Sequence, residues 1–427
     1  MSDASGEFAT EPVPAERTVP WPRVAAIATL VAFSLPTFIT GIEVAGALEP
    51  HRALLAIICG NLLLSAVGAV TGSIGARTRL SSYMLARIAF GDRGAAAVNL
   101  AFAISLLGWF GVNIDLFGEA VLRLGRDVYG VTLPVWAVEL GAGVVMTATT
   151  IFGFKAIDRL SLLLVPVLMV VTALLVLRSL DVRPLAETLA LAGEAEMSFG
   201  RAMSAVVGGV IIGAIILPDI TRFSRQWTGG VYIGLLSYLG VGSVVQVAGG
   251  LAAIAFANDD LLDVMILIGL GWAAFAIVIA GSWILNSLNL YSSVLSVEAT
   301  LPSVSNHVLT LALGVGGTVA AFFNILDAFL TFLYYLAVVF APVAGVLAVD
   351  YLWLRRAAYH ESREQMRQNV LPLALAAWAV GAVLALVGPE MGIQITGVAA
   401  LDAIFAAALC HAILGSISRN NRTSNRV

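Results

Sequence analysis

Residues 33–41 read Phe33-Ser34-Leu35-Pro36-Thr37-Phe38-Ile39-Thr40-Gly41 and interrupt an apolar run that extends from about residue 23 to residue 47. Proline lacks a backbone N–H and glycine weakens a helix, so this run predicts a helix broken near its middle. At membrane depth, freed backbone groups are tolerated only where they face protein or a water-filled cavity. The stretch therefore predicts a broken transmembrane helix that lines a site.

A second apolar run, at about 203–221, is interrupted in a similar way. It contains Gly208-Gly209-Val210-Ile211-Ile212-Gly213, with Pro218-Asp219 beyond. Two interruptions five spans apart are typical of inverted five-helix repeats, in which broken helices meet at the membrane midplane and bind substrate or ions. The alternative is that these residues only kink the helices or pack them closely, since Gly and Pro are common in membrane helices.

The composition excludes a soluble enzyme. Of the 427 residues, 59% are hydrophobic and 12% are charged, whereas charged residues make up about 25% of an ordinary soluble domain. Between Gln226 and Leu354 there is neither Lys nor Arg, which favours helices in lipid joined by short loops. The formal net charge of −4 gives no basic face for nucleic acid.

Apolar runs long enough to cross a membrane define twelve predicted helices. They lie near 23–47, 53–75, 97–122, 133–154, 160–177, 203–221, 229–256, 265–296, 308–325, 328–352, 371–389 and 395–416. The fold class is therefore an all-α membrane protein with a five-plus-five inverted repeat, broken helices one and six, and two additional C-terminal helices.

The distribution of cations orients the chain. With the N-terminus in the cytosol, most of the 23 Lys and Arg residues fall on the cytosolic side, which places both termini there and the protein in the inner membrane. The predicted units are a disordered tail at 1–20, repeats at 21–180 and 199–352, the last two helices at 370–417, and a tail at 418–427. The first apolar run is too long for a removable signal peptide.

The sequence contains no pattern typical of a catalytic or metal site. His51, His307, His360 and His411 are isolated in sequence, and the two cysteines lie far apart in apolar runs, as expected for packed thiols. We therefore predict a protein that is not an enzyme and binds no resident cofactor or metal.

The third span contains Gly108-Trp109-Phe110-Gly111 near its centre. The glycines leave room beside the indole for a flat ligand, although Trp109 could instead contact lipid or the core. Asn113 lies one turn beyond Trp109 on the same helix face. Asn286 and Asn289 share a face in the eighth span, where they could bind a ligand or simply join neighbouring helices.

Acidic residues within the spans are candidates for cation or proton binding, because a buried carboxylate is costly. The deepest are Asp115 and Glu43. The alternative is that they lie at the interface or cap a broken helix. The complete set of acidic candidates is Glu43, Asp115, Glu119, Asp219, Asp327 and Asp402.

The chain resembles the nucleobase-cation symporter family, and most closely its cytosine permease branch. The resemblance covers nearly the whole chain and depends on the order of short motifs. They include Gly60-Asn61-Leu62-Leu63-Leu64, Gly75-Ala76-Arg77-Thr78, Leu85-Ala86-Arg87, Gly108-Trp109-Phe110-Gly111, Asp219 with Arg222-Phe223, Asn286 to Tyr291, Leu330-Thr331-Phe332-Leu333, Pro342 with Gly345, and Asp350-Tyr351-Leu352 with Arg355-Arg356.

The resemblance implies transport of a planar nitrogen heterocycle by alternating access, with Trp109 stacked on the base. It also implies polar contacts from the backbone of Gly209 and of the break that begins at Phe33. The positions that grip the ring edge in cytosine permeases are occupied here by Leu106, Val210, Ile212 and Gly281. A pocket without those polar groups argues against specificity for cytosine itself, since such groups decide selectivity.

Coupling also departs from the family pattern. The hydroxyl positions of the family's sodium site hold Ile284 and Leu285 here, and sodium requires oxygen ligands. The sequence therefore favours proton coupling through Asp115 or Glu43, or uncoupled transport, over Na⁺ coupling, with Asn286 as a further coupling candidate.

The sequence predicts a permease for nucleobases or related heterocycles, including cytosine, purines, pyrimidines, hydroxymethylpyrimidine, hydantoin and allantoin. The competing class is a non-transporting sensor that has kept the fold and lost the site. A channel is disfavoured because no ring of charges or repeated filter motif is present. The sequence leaves the oligomeric state open.

Overall fold

The computed structural model describes residues 11–152, 154–191, 195–298, 300–301, 303–360 and 371–424. Within these ranges the regular structure is helical. The helices are α1 Trp21–Ala32, α2 Leu35–Ala47, α3 Pro50–Thr78, α4 Ser82–Tyr129, α5 Val135–Phe152, α6 Phe154–Val182, α7 Leu185–Leu189, α8 Phe199–Ile215, α9 Pro218–Thr221, α10 Trp227–Gly234, α11 Ser243–Phe256, α12 Leu261–Met265, α13 Trp272–Glu298, α14 Asn306–Ala321, α15 Phe329–Val349, α16 Pro372–Val387 and α17 Ala399–Ser424.

Short segments of other helix types join several of these elements. The segments Leu235–Gly242, Ile266–Leu270 and Asp350–Leu354 are π-helical, and Ala15–Arg17, Ile325–Ala328 and Arg356–His360 are 3₁₀-helical. Leu235–Gly242 joins α10 to α11 without a break in the apolar helix Trp227–Phe256.

Each of the twelve predicted apolar runs coincides with helix. Among the described residues, seven helices have the length and composition of a membrane span: Pro50–Thr78, Ser82–Tyr129, Phe199–Thr221, Trp227–Phe256, Trp272–Glu298, Ile325–Leu354 and Ala399–Ile417. The all-helical membrane class is confirmed. The number of crossings and the inverted repeat stay predictions.

The predicted break in the first span is present. Helix α1 ends at Ala32, Phe33 and Ser34 leave helical geometry, and α2 begins at Leu35 with Pro36 in its first turn. Because residue 36 is proline, the carbonyl of Ala32 has no N–H donor four residues later. The break therefore deprives the Ala32 carbonyl of its usual helical hydrogen bond, at the junction of α1 and α2.

The predicted interruption of the sixth span lies before Pro218, not at Gly208–Gly213. Helix α8 runs without interruption through these residues, and the chain leaves helical geometry only at Ile216–Leu217, before the short helix α9. The glycines permit close packing instead: a Cβ at residue 208 would overlap the carbonyl oxygen of Leu333 on α15. Helix α8 therefore packs backbone to backbone on α15.

Two other breaks are present that the sequence did not predict. Gly91 has φ 77° and ψ 171° and kinks α4 at its tenth residue, in the first quarter of the helix. Gly269 and Gly271 both have positive φ in the turn that precedes α13. These conformations are accessible to glycine and strained for other residues, so each glycine sets the direction of the helix that follows.

Residues 11–20 pack on the protein, which corrects for these residues the prediction of a disordered tail over 1–20. Val13 is completely buried and its N–H donates to the carbonyl of Arg79. The N–H of Val19 donates to Phe223, in an isolated bridge beside Ser224. Residues 11–20 thus connect the α3–α4 and α9–α10 turns, and residues 1–10 lie outside the described residues.

A buried polar cluster joins the last helix, α17, to the rest of the protein. Asp350, at the end of α15, accepts hydrogen bonds from Arg355, from the Tyr359 hydroxyl at 2.7 Å and from His411 Nε2 at 3.1 Å. Arg355 also donates to the carbonyl of Ile88, just before the Gly91 kink. His411 is therefore not isolated as predicted. Helix α17 continues to Ser424, past the predicted boundary at 417.

Candidate functional site

A cleft open to solvent lies between α2 and α4. Leu35, the first residue of α2 after the break, lines the cleft. Glu43, two turns further along α2, lines it as well. The opposite wall is formed by Leu116 and Glu119 of α4. The other lining residues are Ile39, Ala120, Asp259, Asp260, Leu261, Leu262, Val278 and Leu326.

Four acidic residues line the cleft. Glu43, Glu119, Asp259 and Asp260 all line it. Arg123 is the cation beside these carboxylates: it pairs with Asp260 at 2.7 Å and also contacts Asp263 and Glu119. One guanidinium shared among three carboxylates leaves negative charge in excess, so the field in the cleft favours cations over anions.

Trp109 lies two turns before Leu116 on α4 and on the same face of that helix. Its indole is buried and meets Phe329 and Phe332 of α15, with ring centroids 6.0 and 5.5 Å away and interplanar angles of 80° and 73°. Gly108 makes room for this packing, since a Cβ there would lie 2.9 Å from the Phe332 ring. Neither phenyl ring is stacked parallel to the indole.

Asn113 lies one turn beyond Trp109 and is completely buried. Its Nδ2 donates to the Trp109 carbonyl at 2.7 Å, while its Oδ1 is buried without a hydrogen-bond partner among the described residues. A buried acceptor left unpaired is costly. This oxygen is therefore available to an N–H donor of a ligand.

The two coupling candidates differ in position. Glu43 lines the cleft and is half-buried. Both carboxylate oxygens of Asp115 are buried near the Leu326 backbone but do not meet hydrogen-bond geometry. The charged neighbours of Asp115 are the carboxylates Glu119, Glu139 and Asp327. Glu43 is thus open to ions in the cleft, whereas the carboxylate oxygens of Asp115 are buried.

Two other acidic candidates cap backbone segments. Asp219 accepts from the backbone N–H and the hydroxyl of Ser82, at 2.7 and 2.6 Å, and so caps the first turn of α4. Asp402 accepts from the N–H groups of Ile395 and Thr396 before α17. Both carboxylates therefore have structural partners.

Gly209 of α8 lies close to both α2 and α15. A Cβ at residue 209 would lie 3.6 Å from Thr40 Oγ1 of α2 and 3.7 Å from Leu333 of α15. Gly209 therefore faces Thr40 of the broken first span, and its contact with substrate stays a prediction. It lies inside a continuous helix, however, so its backbone is not unwound.

The remaining predicted contact residues are dispersed over four helices. Leu106 is buried one turn before Trp109 on α4, and Gly281 is buried on α13. Val210 and Ile212 pack in the main apolar core on α8, and Phe33 ends α1 at the break. The apolar character predicted for this region is present. A direct role in binding stays a prediction for each of these residues.

Asn286 lies on a different face from the cleft. Its Nδ2 donates to the Phe110 carbonyl at 3.0 Å and lies 3.0 Å from the sulfur of Met146 on α5. Phe110 and Met146 belong to a separate apolar cluster among α4, α5, α13 and α14. The structure thus places Asn286 as a link between helices, and its role in coupling stays a prediction.

Sequence reasoning missed the aromatic partners of Trp109. Phe329 and Phe332 are three residues apart and so share one face of α15, which was the available signal. Thr40 was quoted only as part of the break, yet its hydroxyl lies beside Gly209 and donates to the Pro36 carbonyl at 2.8 Å. These three residues join α2, α4, α8 and α15 around the site.

Comparison with known proteins identifies the family. Residues 12–408 match the model of the permeases for cytosine/purines, uracil, thiamine and allantoin. The chain is 30% identical over 387 residues to a cytosine permease of Escherichia coli O157:H7, covering 90% of this chain and 88% of the relative. It is 27% identical over 372 residues to the hydantoin permease of Microbacterium maritypicum, covering 80% and 74%.

Solved structures share the fold. The inward-facing conformation of Mhp1 superposes with a TM-score of 0.83 at 21% identity, covering 96% of this chain and 93% of Mhp1. A closed conformation of Mhp1, a nucleobase-cation-symport-1 family transporter with bromovinylhydantoin bound, gives a TM-score of 0.77 at 22% identity, covering 93% and 92%. The chain therefore belongs to the cytosine/purine permease family of nucleobase-cation symporters, whose members are membrane transporters.

Proposed function

We propose that this protein imports a planar nitrogen heterocycle across the cytoplasmic membrane by alternating access, with both termini in the cytosol and the five-plus-five repeat as the moving unit. The observation that carries the proposal is the pairing of Trp109 with Asn113 below the α2–α4 cleft. The indole offers a surface on which a flat ring can stack, and Asn113 Oδ1 is a buried acceptor with no hydrogen-bond partner in the part of the chain that the structure describes. Heterocycles of this class carry ring N–H donors that match it.

The substrate is proposed to be less polar at its edge than cytosine. Leu106, Val210 and Ile212 are apolar. An apolar pocket discriminates little among rings, but it leaves polar groups at the edge of a ring without hydrogen-bond partners. Hydantoins, allantoin and hydroxymethylpyrimidine are the alternatives to cytosine, and a hydantoin permease is among the relatives. Hydantoin-like rings with apolar substituents are therefore proposed as substrates ahead of cytosine.

Proton coupling is proposed in preference to sodium coupling. Glu43 is the carboxylate of α2 that lines the cleft, so it can exchange protons with the bulk on the side to which the cleft opens. The side chains at Ile284 and Leu285 carry no oxygen, and a hard cation such as Na⁺ prefers oxygen ligands. Glu43 is therefore the proposed proton acceptor, and Asp115 is the second candidate.

Uptake into proteoliposomes tests the proposal. Labelled cytosine, uracil, hydantoin, allantoin and hydroxymethylpyrimidine are compared under a pH gradient, a sodium gradient and neither. We expect concentrative uptake of at least one heterocycle, driven by the pH gradient and unaffected by sodium. Uptake driven by sodium alone would overturn the coupling proposal. Saturable binding without uptake of any heterocycle would favour the sensor.

A further inference from the structure

Helices α3 and α11 bury two amide side chains against each other, away from the cleft. Asn61 of α3 is 1% exposed and Gln246 of α11 is completely buried. Asn61 Nδ2 donates to Gln246 Oε1 at 2.6 Å and to the carbonyl of Ile57 at 2.9 Å. Both N–H groups of the Asn61 amide are therefore used.

These contacts fix the orientation of both amides. If Asn61 were turned over, its Oδ1 would face the Ile57 carbonyl, and two acceptors would meet. If Gln246 alone were turned over, two NH₂ groups would lie 2.6 Å apart. Since oxygen and nitrogen positions in an amide are assigned from such networks, only one arrangement is consistent. Asn61 Oδ1 and Gln246 Nε2 consequently point away from the pair.

Both of these outward atoms are buried without a partner among the described residues, and so are the hydroxyls of Ser237 and Ser243. The groups lie in one region. A Cβ at Gly242 would be 2.9 Å from Asn61 Oδ1 and 3.3 Å from the Ser237 carbonyl. Ser243 is one turn before Gln246 on α11. Gly242 and Ser237 belong to the π-helical segment Leu235–Gly242, a distortion that often marks a functional position.

We propose that this site between α3 and α11 binds an internal water molecule, which donates to Asn61 Oδ1 and accepts from Gln246 Nε2. Water fits because it both donates and accepts, and internal waters typically make about three hydrogen bonds to buried polar groups. The hydroxyl of Ser237 or Ser243 supplies the third contact. A cation is repelled by the N–H groups of Gln246, and an anion by Asn61 Oδ1.

The water site lies one layer behind the broken first span. A Cβ at Gly41 of α2 would overlap the backbone carbonyl of Gln246, so α2 packs directly on the residue that binds the water. Gln246 thus contacts α2 through its backbone and α3 through its side chain. The bound water completes the polar contact that sets the position of α11 between these two helices.

The neighbouring residue Ser65 provides a matched control. Its hydroxyl lies in the same interface but already accepts from the Leu239 N–H at 2.9 Å and contacts the Gly234 carbonyl at 3.4 Å. Ser65→Ala therefore removes a polar group that has protein partners. Asn61→Leu and Gln246→Met each remove one proposed contact to the water.

The test is a density map of the full-length protein in nanodiscs, at a resolution that shows ordered water, recorded in sodium chloride and in choline chloride. We expect a peak about 2.7–3.2 Å from Asn61 Oδ1 and Gln246 Nε2 in both salts, retained in Ser65→Ala and lost in Asn61→Leu and Gln246→Met. A wild-type map in which the amides pair directly with Ser237 or Ser243, without a peak, would overturn the proposal. So would a peak present only with sodium. The wild-type maps decide the matter even if a variant fails to fold.

Discussion

Asn113 Nδ2 donates to the carbonyl oxygen of Trp109 at 2.7 Å, one helical turn earlier, and Asn113 Oδ1 is buried without a hydrogen-bond partner among the described residues. The hydrogen bond fixes which end of the amide points away from the helix. The acceptor is therefore held in one position relative to the indole. Stacking and hydrogen bonding thus become available to a ligand from adjacent turns of a single helix.

Replacing Asn113 with Leu should weaken substrate binding. The change removes the acceptor but keeps a side chain of similar size. A hydrogen bond to a buried group contributes about 1–1.5 kcal/mol, so KM should rise roughly tenfold. Concentration-dependent uptake measures the effect. An unchanged KM in a folded, reconstituted variant would remove Asn113 from the site.

The backbone contact between α8 and α15 should make Gly208→Ala strongly destabilising. The added methyl group overlaps the Leu333 carbonyl, and overpacking of this kind costs about 1–3 kcal/mol or more. Gly46→Ala is the matched control, because open space surrounds a Cβ there; it should be neutral or stabilising by up to about 1 kcal/mol. Thermal unfolding in detergent compares them, and equal effects would contradict the packing.

Asp350→Asn should destabilise the protein by about 3–5 kcal/mol, because it leaves Arg355 and its network without the buried carboxylate. The control is Asp181→Asn, which breaks the exposed pair with Arg178 at 3.9 Å and should cost about 0–1 kcal/mol. Denaturation midpoints measure both. A similar small loss in the two variants would show that the Asp350 cluster does not hold α17 in place.

Tyr359 should give the protein an alkaline limit of stability. Burial, and secondarily the neighbouring Asp350 carboxylate, raise the pKa of the Tyr359 hydroxyl well above its ordinary value. The unfolded chain therefore loses the phenolic proton first, and the stabilisation is complete below pH about 10 and decreases as pH rises beyond it. Tyr359→Phe should flatten the decline of the melting temperature above pH about 10. An unchanged alkaline slope would contradict this assignment.

The sequence predicted features that depend on local chemistry. The break at Phe33–Ser34 follows from Pro36, which cannot donate a backbone hydrogen bond wherever it lies. The interruption of the sixth span lies before Pro218 and not at Gly208–Gly213, because those glycines are used for contact with the Leu333 carbonyl, 125 residues away by their numbers. Only the tertiary structure reveals such a use.

The same limit explains the other corrections. Residues 11–20 have the polar, proline-containing composition of a tail, but Val13 and Val19 dock on turns near Arg79 and Phe223. The His411 partner, Asp350, is 61 residues away in sequence, so spacing could not pair them. At the site, the glycines around Trp109 were readable from the sequence, whereas the edge-on packing of Phe329 and Phe332 was not.

The most direct test of the central claim compares Trp109→Ala with Trp136→Ala in the proteoliposome uptake assay, for whichever heterocycle the wild type concentrates. Trp136 is 61% exposed on α5 and controls for the loss of an indole. We expect Trp109→Ala to abolish uptake while the folded protein is still recovered, and Trp136→Ala to transport as the wild type does. Undiminished uptake by Trp109→Ala would contradict the claim that the substrate stacks on this residue.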